Sequence, residues 1–198
     1  MTSDLASIDK DVWEQLTRAS TQSDHDFRYL SLATLSEDKV PVSRLLVLRG
    51  LNESDRTLIF HTDIMSEKWS ELSAYPKASV LGFSAEKGEQ FRFQGSVELY
   101  APTTDVNQSE WDKLSVWSQN TYCGGPPGEE TLAPSSVLQK DLQPPSDAEL
   151  ERGRLRFGVL KFKADSLDWF RLQRSDNRRA KYCYNSSGEI EHANWINP

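Results

Sequence analysis

The sequence contains two groups of side chains that together have the chemistry of an anion site. Arg44 lies in a segment rich in leucine and valine, and Ser66-Glu67-Lys68 stands at the expected start of a helix. A helix start presents free backbone amides, to which a hydroxyl, an ammonium and a guanidinium group add charge-assisted hydrogen bonds. Taken singly, Arg44 is typical of a snorkelling strand residue and Lys68 of a solvated helix charge. Only their combination favours a phosphate site.

The sequence also argues against several common sites. It has no GxGxxG after a strand and no GxxxxGK[ST], so neither a Rossmann dinucleotide site nor a P-loop is expected. Cys123 and Cys183 lie far apart without CxxC spacing, and no two of the three histidines are four residues apart. We therefore predict no disulfide, no zinc site and no other metal site.

Length and charge limit the class of protein. A chain of 198 residues predicts a single domain over residues 1–198. The formal net charge of −7 has the wrong sign for coating nucleic acid. No apolar run reaches bilayer length, and the N-terminus lacks the basic start and apolar stretch of a signal peptide. We expect a soluble, cytoplasmic protein without a nucleic-acid or membrane partner.

Hydrophobic periodicity predicts the elements that position the polar groups. The clearest pattern lies at 89–100, where Phe91 and Phe93 alternate with Gln90 and Arg92. Many short strands with few helices favour a closed or nearly closed antiparallel barrel over a parallel α/β sheet. A Gly/Pro-rich segment at about 123–146 predicts a long loop. Strands are expected at 29–35, 40–48, 57–62, 78–83, 89–100, 156–164, 167–172 and 181–184, and helices at 7–20, 66–75 and 104–117.

Four motifs follow one another in register between residues 27 and 100. They are Arg44-Leu45-Leu46-Val47-Leu48-Arg49, Phe60-His61-Thr62, Ser66-Glu67-Lys68 and the strand at 89–98 that begins Glu89-Gln90. Together they resemble the motifs of the pyridoxamine 5′-phosphate oxidase-like, FMN-binding split barrels. Residues 168–182 and the end at 195–198 are similar to the closing strands of that family.

The resemblance implies a mainly β (α+β) fold, a split antiparallel barrel of Greek-key type with flanking helices. It also implies FMN as the cofactor, a small-molecule substrate, and a homodimer with FMN at the interface between two barrels. The residues carried over as cofactor-binding are Arg44, Leu45, Leu46, Val47, Arg49, His61, Thr62, Ser66, Lys68, Gln90, Ser118, Trp169, Arg179 and Lys181. No catalytic side chain is implied, because the flavin itself carries the redox chemistry.

Flavin chemistry suits these positions. Arg44, Lys68 and the hydroxyls of Thr62 and Ser66 can bind the phosphate dianion. A cation such as Arg179 or Lys181 near the ring would raise its reduction potential.

Two further positions have two interpretations each. Gln90 suits the pyrimidine edge of the flavin, but it is equally well explained as an outward polar residue of an alternating strand. Trp169 either flanks the flavin or fills the core, and the core is favoured. Phe170 is an equally good candidate for the flavin-side position.

The chain departs from the family pattern at several positions. Glu67 stands where an arginine often holds the phosphate, and His61 where a tyrosine is usual. The residues that bind pyridoxamine phosphate in the oxidases have no clean match at 111–119 or 177–179. Three hypotheses therefore compete: an FMN-dependent oxidoreductase, a non-catalytic flavin-binding or flavin-storage protein, and an acidic barrel that binds proteins or oligonucleotides.

Overall fold

The computed structural model describes residues 2–132, 144–174 and 177–198. Within these ranges, no helix is both long and apolar enough to cross a bilayer. The helices are α1 (Thr2–Thr21), α2 (Glu67–Ala74), α3 (Asp105–Asp112), α4 (Val116–Asn120) and α5 (Asp147–Arg156), with a short 3₁₀ turn at Asp26–Arg28. The strands are β1 (Tyr29–Leu35), β2 (Pro41–Asn52), β3 (Thr57–Asp63), β4 (Lys77–Ser84), β5 (Glu89–Tyr100), β6 (Phe157–Arg171), β7 (Arg178–Tyr184) and β8 (Ile190–Ile196).

Six strands close into an antiparallel barrel. The sheet order is β3-β2-β1-β4-β5-β6-β7-β8, and an additional pairing of β3 with β6 closes the ring. β7 and β8 continue the sheet outside this ring, beyond the second half of β6. The predicted antiparallel barrel with flanking helices is confirmed, and the expectation of one domain over the whole chain stays a prediction.

The barrel core is formed by the inward faces of its strands and by one face of α1. Trp13 and Leu16 of α1 are fully buried, and the Trp13 ring lies 5.3 Å from that of Phe93. Arg56, in the β2–β3 turn, fixes the helix further, because its Nη2 donates to Asp9 at 2.8 Å. The helix predicted at 7–20 is α1, which begins earlier, at Thr2, and its apolar face closes one side of the core.

A second apolar cluster covers the outside of β3 and β6. Trp111 of α3 packs against Phe157 with a ring separation of 5.3 Å. The fully buried Asn107 ties the helix to the barrel, since its Nδ2 donates to the carbonyls of Tyr100 at 2.9 Å and Phe157 at 2.8 Å. This cluster positions α3 and α4 beside the end of β3.

Three predicted segments differ in the structure. The helix expected at 104–117 is two helices, because the Ser115 side chain accepts from the Ser118 amide and starts α4. The strands expected at 156–164 and 167–172 are the single strand β6, with a bulge at Asp165 that absorbs the break in the pattern. The expected loop at 123–146 lies partly outside the described residues, at 133–143.

Helix α5 was missed by the sequence reasoning. Its start carries a complete capping box between Ser146 and Glu149, a signal that was present in the sequence.

Candidate functional site

The turn between β3 and α2 brings several polar groups together. β3 ends at Asp63, whose side chain accepts from the Met65 amide at 2.8 Å and whose carbonyl accepts from Ser66 Oγ at 2.6 Å. Because the Ser66 hydroxyl donates to Asp63, it does not cap the helix it precedes. The first amides of α2 are therefore left for another acceptor.

Lys68 and Thr62 meet above this turn. Lys68 Nζ donates to Thr62 Oγ1 at 3.0 Å, and Thr62 Oγ1 lies 3.2 Å from Ser66 Oγ. Burial, together with the nearby charge of Arg44, lowers the pKa of Lys68. The lysine is thus a partly desolvated cation next to two hydroxyl groups.

Arg44 approaches the same turn from β2. It stands opposite the buried Leu32, so its side chain points toward the barrel interior. Its Nη2 donates to Glu71 Oε2 at 2.9 Å, and its Nη1 donates to the Thr34 hydroxyl. Glu71 is buried on α2 and also accepts from Thr34 at 2.5 Å. The guanidinium group is therefore held in place from behind.

Arg44, Ser66 and Lys68 line one cavity of about 220 Å³, closed on another side by Pro127 and Gly128. The cavity, with Glu67 at its exposed edge, is called the cradle below. Two cations share it, and each disfavours the charge of the other. An anion placed between them would relieve that repulsion and accept hydrogen bonds from both, so the cradle fits the phosphate of FMN.

The ring-side residues lie elsewhere, on the outer face of the sheet. Phe83, Gln90, Phe170 and Arg179 stand directly opposite one another on β4 to β7, and we call them the Gln90 row. β5 lies three strands from β2 in either direction around the six-stranded ring, so Gln90 is across the barrel from Arg44, and its side chain is on the opposite face of the sheet. A single chain therefore does not bring the cradle and the Gln90 row to one cleft.

Arg179 is held by an acidic neighbour in the next row. Its Nε and Nη2 donate to the two carboxylate oxygens of Asp168 at 2.9 and 2.8 Å. Arg92 donates to the same carboxylate at 2.8 Å. The hydrogen bond from Arg179, and the charges of both arginines, lower the pKa of Asp168. Lys181 stands directly opposite Asp168 and is exposed.

The motif after Arg44 divides between the two faces of β2. Leu46 is buried in the core, whereas Leu45 is 68% exposed and Val47 is half-buried. Arg49 is exposed and lies at a β-bulge between Leu48 and Gly50. None of these four side chains lines the cradle, so within this motif the structure assigns only Arg44 to it.

His61 points away from Thr62, toward the helices that cover β3. Its Nε2 lies 3.1 Å from Glu110, its ring packs against Phe157, and its Nδ1 is buried without a hydrogen-bond partner. Burial lowers the pKa of His61 despite Glu110. The hydrogen bond from His61 and the ammonium group of Lys113 lower the pKa of Glu110 to about 2. We therefore assign a neutral His61 ring, whose Nε2–H donates to the ionised carboxylate of Glu110.

Two expected residues lie apart from both groups. Trp169 is only 2% exposed and lies in the barrel core, as the favoured interpretation predicted. Phe170, the next residue, points outward and belongs to the Gln90 row. Ser118 is on α4 with its hydroxyl 3.1 Å from that of Ser115, and it does not line the cradle. Neither side chain contacts the phosphate side of the site.

Sequence reasoning missed three carboxylates that hold site residues: Glu71 behind Arg44, Asp168 beneath Arg179 and Glu110 beside His61. The burial of Glu71 could have been suspected from the sequence, because it adjoins Leu72 in a short helix that packs on the barrel. A buried glutamate needs a cationic or hydrogen-bonding partner. For Asp168 and Glu110 the partner lies on another element, and nothing local identifies it.

Comparison with known proteins gives a consistent result. The family model described as pyridoxamine 5′-phosphate oxidase, FMN-binding domain, matches residues 10–101, a range that contains Arg44, Ser66, Lys68 and Gln90. Pyridoxine/pyridoxamine 5′-phosphate oxidase 2 of Arabidopsis thaliana is 26% identical over 188 residues, covering 90% of this chain and 91% of that protein. The Synechocystis enzyme is 38% identical over 93 residues, which cover 45% of this chain and 42% of that enzyme.

Two solved structures share the fold over nearly the whole chain. A pyridoxamine 5′-phosphate oxidase-related, FMN-binding protein from Nostoc punctiforme superimposes with a TM-score of 0.77 at 26% identity, covering 96% of each chain. PhzG from Burkholderia lata, solved with tetrahydrophenazine-1-carboxylic acid, has a TM-score of 0.70 at 20% identity and covers 96% of this chain and 91% of that one. Residues 10–101 are therefore similar to the FMN-binding domain of pyridoxamine 5′-phosphate oxidase, and the whole chain shares the fold of an FMN-binding protein related to that oxidase.

Proposed function

We propose that this protein binds FMN and is an FMN-dependent oxidoreductase acting on a small molecule. The observation that carries the proposal is the cradle, where Arg44, Lys68 and Ser66 line one cavity at a helix start. Arg44, oriented by Glu71, and Lys68, oriented by Thr62, both face this cavity, and a phosphate dianion can accept charge-assisted hydrogen bonds from both. The family match over residues 10–101 supports FMN as the molecule that carries this phosphate.

The residues of the chain bind and orient, and the flavin when bound supplies the transfer of electrons. Glu71 and Thr34 keep the Arg44 guanidinium group turned toward the cradle. Thr62 holds the Lys68 ammonium group at 3.0 Å. Glu67 is exposed, so its carboxylate can turn to solvent and leave the phosphate to the two cations.

We further propose a homodimer in which FMN lies between two barrels. Support comes from apolar side chains on the outer face of β1, β2 and β4, where Leu45 is 68%, Tyr29 57% and Phe83 55% exposed. An apolar surface of this kind is typical of a protein–protein interface. Phe83 also belongs to the Gln90 row, so a second copy covering this face would enclose that row. A cradle from one chain and a Gln90 row from the other would then complete one site.

The proposal is tested by the visible spectrum of the protein after incubation with FMN and gel filtration. Protein-bound flavin absorbance at one FMN per chain is expected, and colourless protein contradicts the proposal. Anaerobic addition of pyridoxamine 5′-phosphate, and separately of nicotinamide donors, then tests for bleaching of the flavin. Bound flavin that no such donor reduces would favour the flavin-storage alternative.

A further inference from the structure

Asp168 connects two arginines on the outer face of β5, β6 and β7. It accepts from Arg179 through both carboxylate oxygens, at 2.9 and 2.8 Å, and from Arg92 at 2.8 Å. Its side chain is only 13% exposed, whereas those of Arg92 and Arg179 are 48% and 34% exposed. The carboxylate is thus the buried centre of a three-residue ion cluster.

The geometry of the pair determines which part of Arg179 is free. A two-oxygen, two-nitrogen contact restricts the guanidinium plane far more than a single contact does. Since Nε and Nη2 are used by Asp168, Nη1 keeps its two N–H donors without a partner among the described residues. Arg179 stands opposite Phe170, which stands opposite Gln90. Its free donors are therefore fixed on the face that carries the Gln90 row.

The cluster also fixes the charge on this face. Two arginines and one aspartate give a net charge of about +1, and removal of the carboxylate charge would leave about +2. Reduction puts negative charge on a flavin, so each additional cation near the ring raises the reduction potential and each anion lowers it. The negative charge of Asp168 therefore opposes the effect of Arg92 and Arg179 on the reduction potential.

We propose that Asp168 is a positioning residue of the flavin site, which fixes Arg179 beside Gln90 and Phe170 and lowers the reduction potential of bound FMN. The inference rests on the proposed function. A purely structural role, in which the cluster only joins three strands, would leave the potential unchanged. Arg92 and Arg179 are partly exposed, and ion pairs with exposed arginines contribute little to stability, so the fold alone gives weak reason for so ordered a cluster.

The experiment compares the midpoint potential of bound FMN in the wild-type protein, Asp168→Asn and Asp165→Asn. Asparagine keeps an oxygen that accepts from Arg179 but removes the charge. Asp165 is the matched control, because it lies on the same strand and pairs at 3.1 Å with Lys77 in an exposed position. We expect a positive shift in Asp168→Asn, with the relative affinity for reduced FMN raised about tenfold, which is about 30 mV for two electrons. The control should keep the wild-type potential.

Arg92→Gln is a second variant that tests the same inference if Asp168→Asn fails to fold. It removes one positive charge and leaves the pair between Asp168 and Arg179 intact, so the potential should fall. An unchanged or oppositely shifted potential in a variant that binds FMN overturns the inference, as does an equal shift in Asp165→Asn. Wild-type protein that takes up no FMN instead overturns the proposed function, and the inference with it.

Discussion

Replacement of Lys68 by alanine should weaken the binding of FMN without affecting the fold. Lys68 Nζ contacts Thr62 at 3.0 Å and lines the cradle, where it can form a charge-assisted hydrogen bond to a phosphate. Such a bond is worth about 1.5 to 3 kcal/mol. At about 1.4 kcal/mol for each factor of ten, the Kd for FMN should rise by about 10- to 150-fold.

Lys68 is a cleaner target than Arg44. Arg44→Ala would leave the buried carboxylate of Glu71 without its cation, and breaking a buried ion pair costs about 3 to 5 kcal/mol. Loss of FMN binding in that variant would therefore mix two causes. Lys68 has no ion-pair partner among the described residues, so its removal changes mainly the cradle.

The assay is quenching of flavin fluorescence, measured with FMN and with riboflavin, which has the same ring system and no phosphate. Lys68→Ala should weaken binding of FMN and leave binding of riboflavin unchanged. Lys10→Ala, an exposed lysine on α1, is the control and should match the wild-type protein for both ligands. Equal losses for the two flavins, or no loss for FMN, would refute the assignment of Lys68 to the phosphate.

Three other predictions concern the dimer, the core and the response to acid. Leu45→Glu should convert the proposed dimer to monomers in sedimentation velocity. Leu155 is an exposed leucine on α5, so Leu155→Glu is the control and should leave the dimer intact. Dimers in both variants would exclude the proposed interface. Trp169→Ala should lower the free energy of unfolding by about 3 to 5 kcal/mol in urea titrations, because it empties a large core position; a smaller loss would show that Trp169 is not a core residue. The pKa of Glu110 is lowered from 4.5 to about 2, so its stabilising contribution is complete above pH 4.5 and is lost as the pH falls to 2. Glu110→Gln should remove that part of the acid destabilisation, and identical pH profiles would contradict the pairing with His61.

The meeting of Arg44, Ser66 and Lys68 in the cradle was predictable because these residues are close in sequence, whereas the contribution of Pro127 and Gly128 was not. β3, the turn at Ser66 and α2 form one local unit, and β2 with Arg44 precedes β3 in a simple meander. A helix start after a strand can be recognised from residue types alone. The convergence of Arg44 and Lys68 then required only that neighbouring strands pair, which is the usual arrangement.

The outer face was less predictable because it depends on long-range register. Gln90 and Arg179 are 89 positions apart, and only the pairing of β6 with both β5 and β7 puts them in one row. Alternation within β5 shows that Gln90 points outward, but it does not show which residues lie opposite. The carboxylate of Asp168 was missed for the same reason, since the sequence does not show which residues of the neighbouring strands lie beside it.

Strand β6 makes the first five strands of the barrel dependent on a segment far along the sequence. The range matched by the family model, residues 10–101, ends at β5, whereas the strand that seals β3 to β5 starts at Phe157. A fragment with only the first five strands would leave two long edges with unpaired amides and carbonyls, the kind of edge through which sheets associate with one another. Such a fragment should accumulate as aggregates, because the outer edges of β3 and β5 are paired only when β6 is in place.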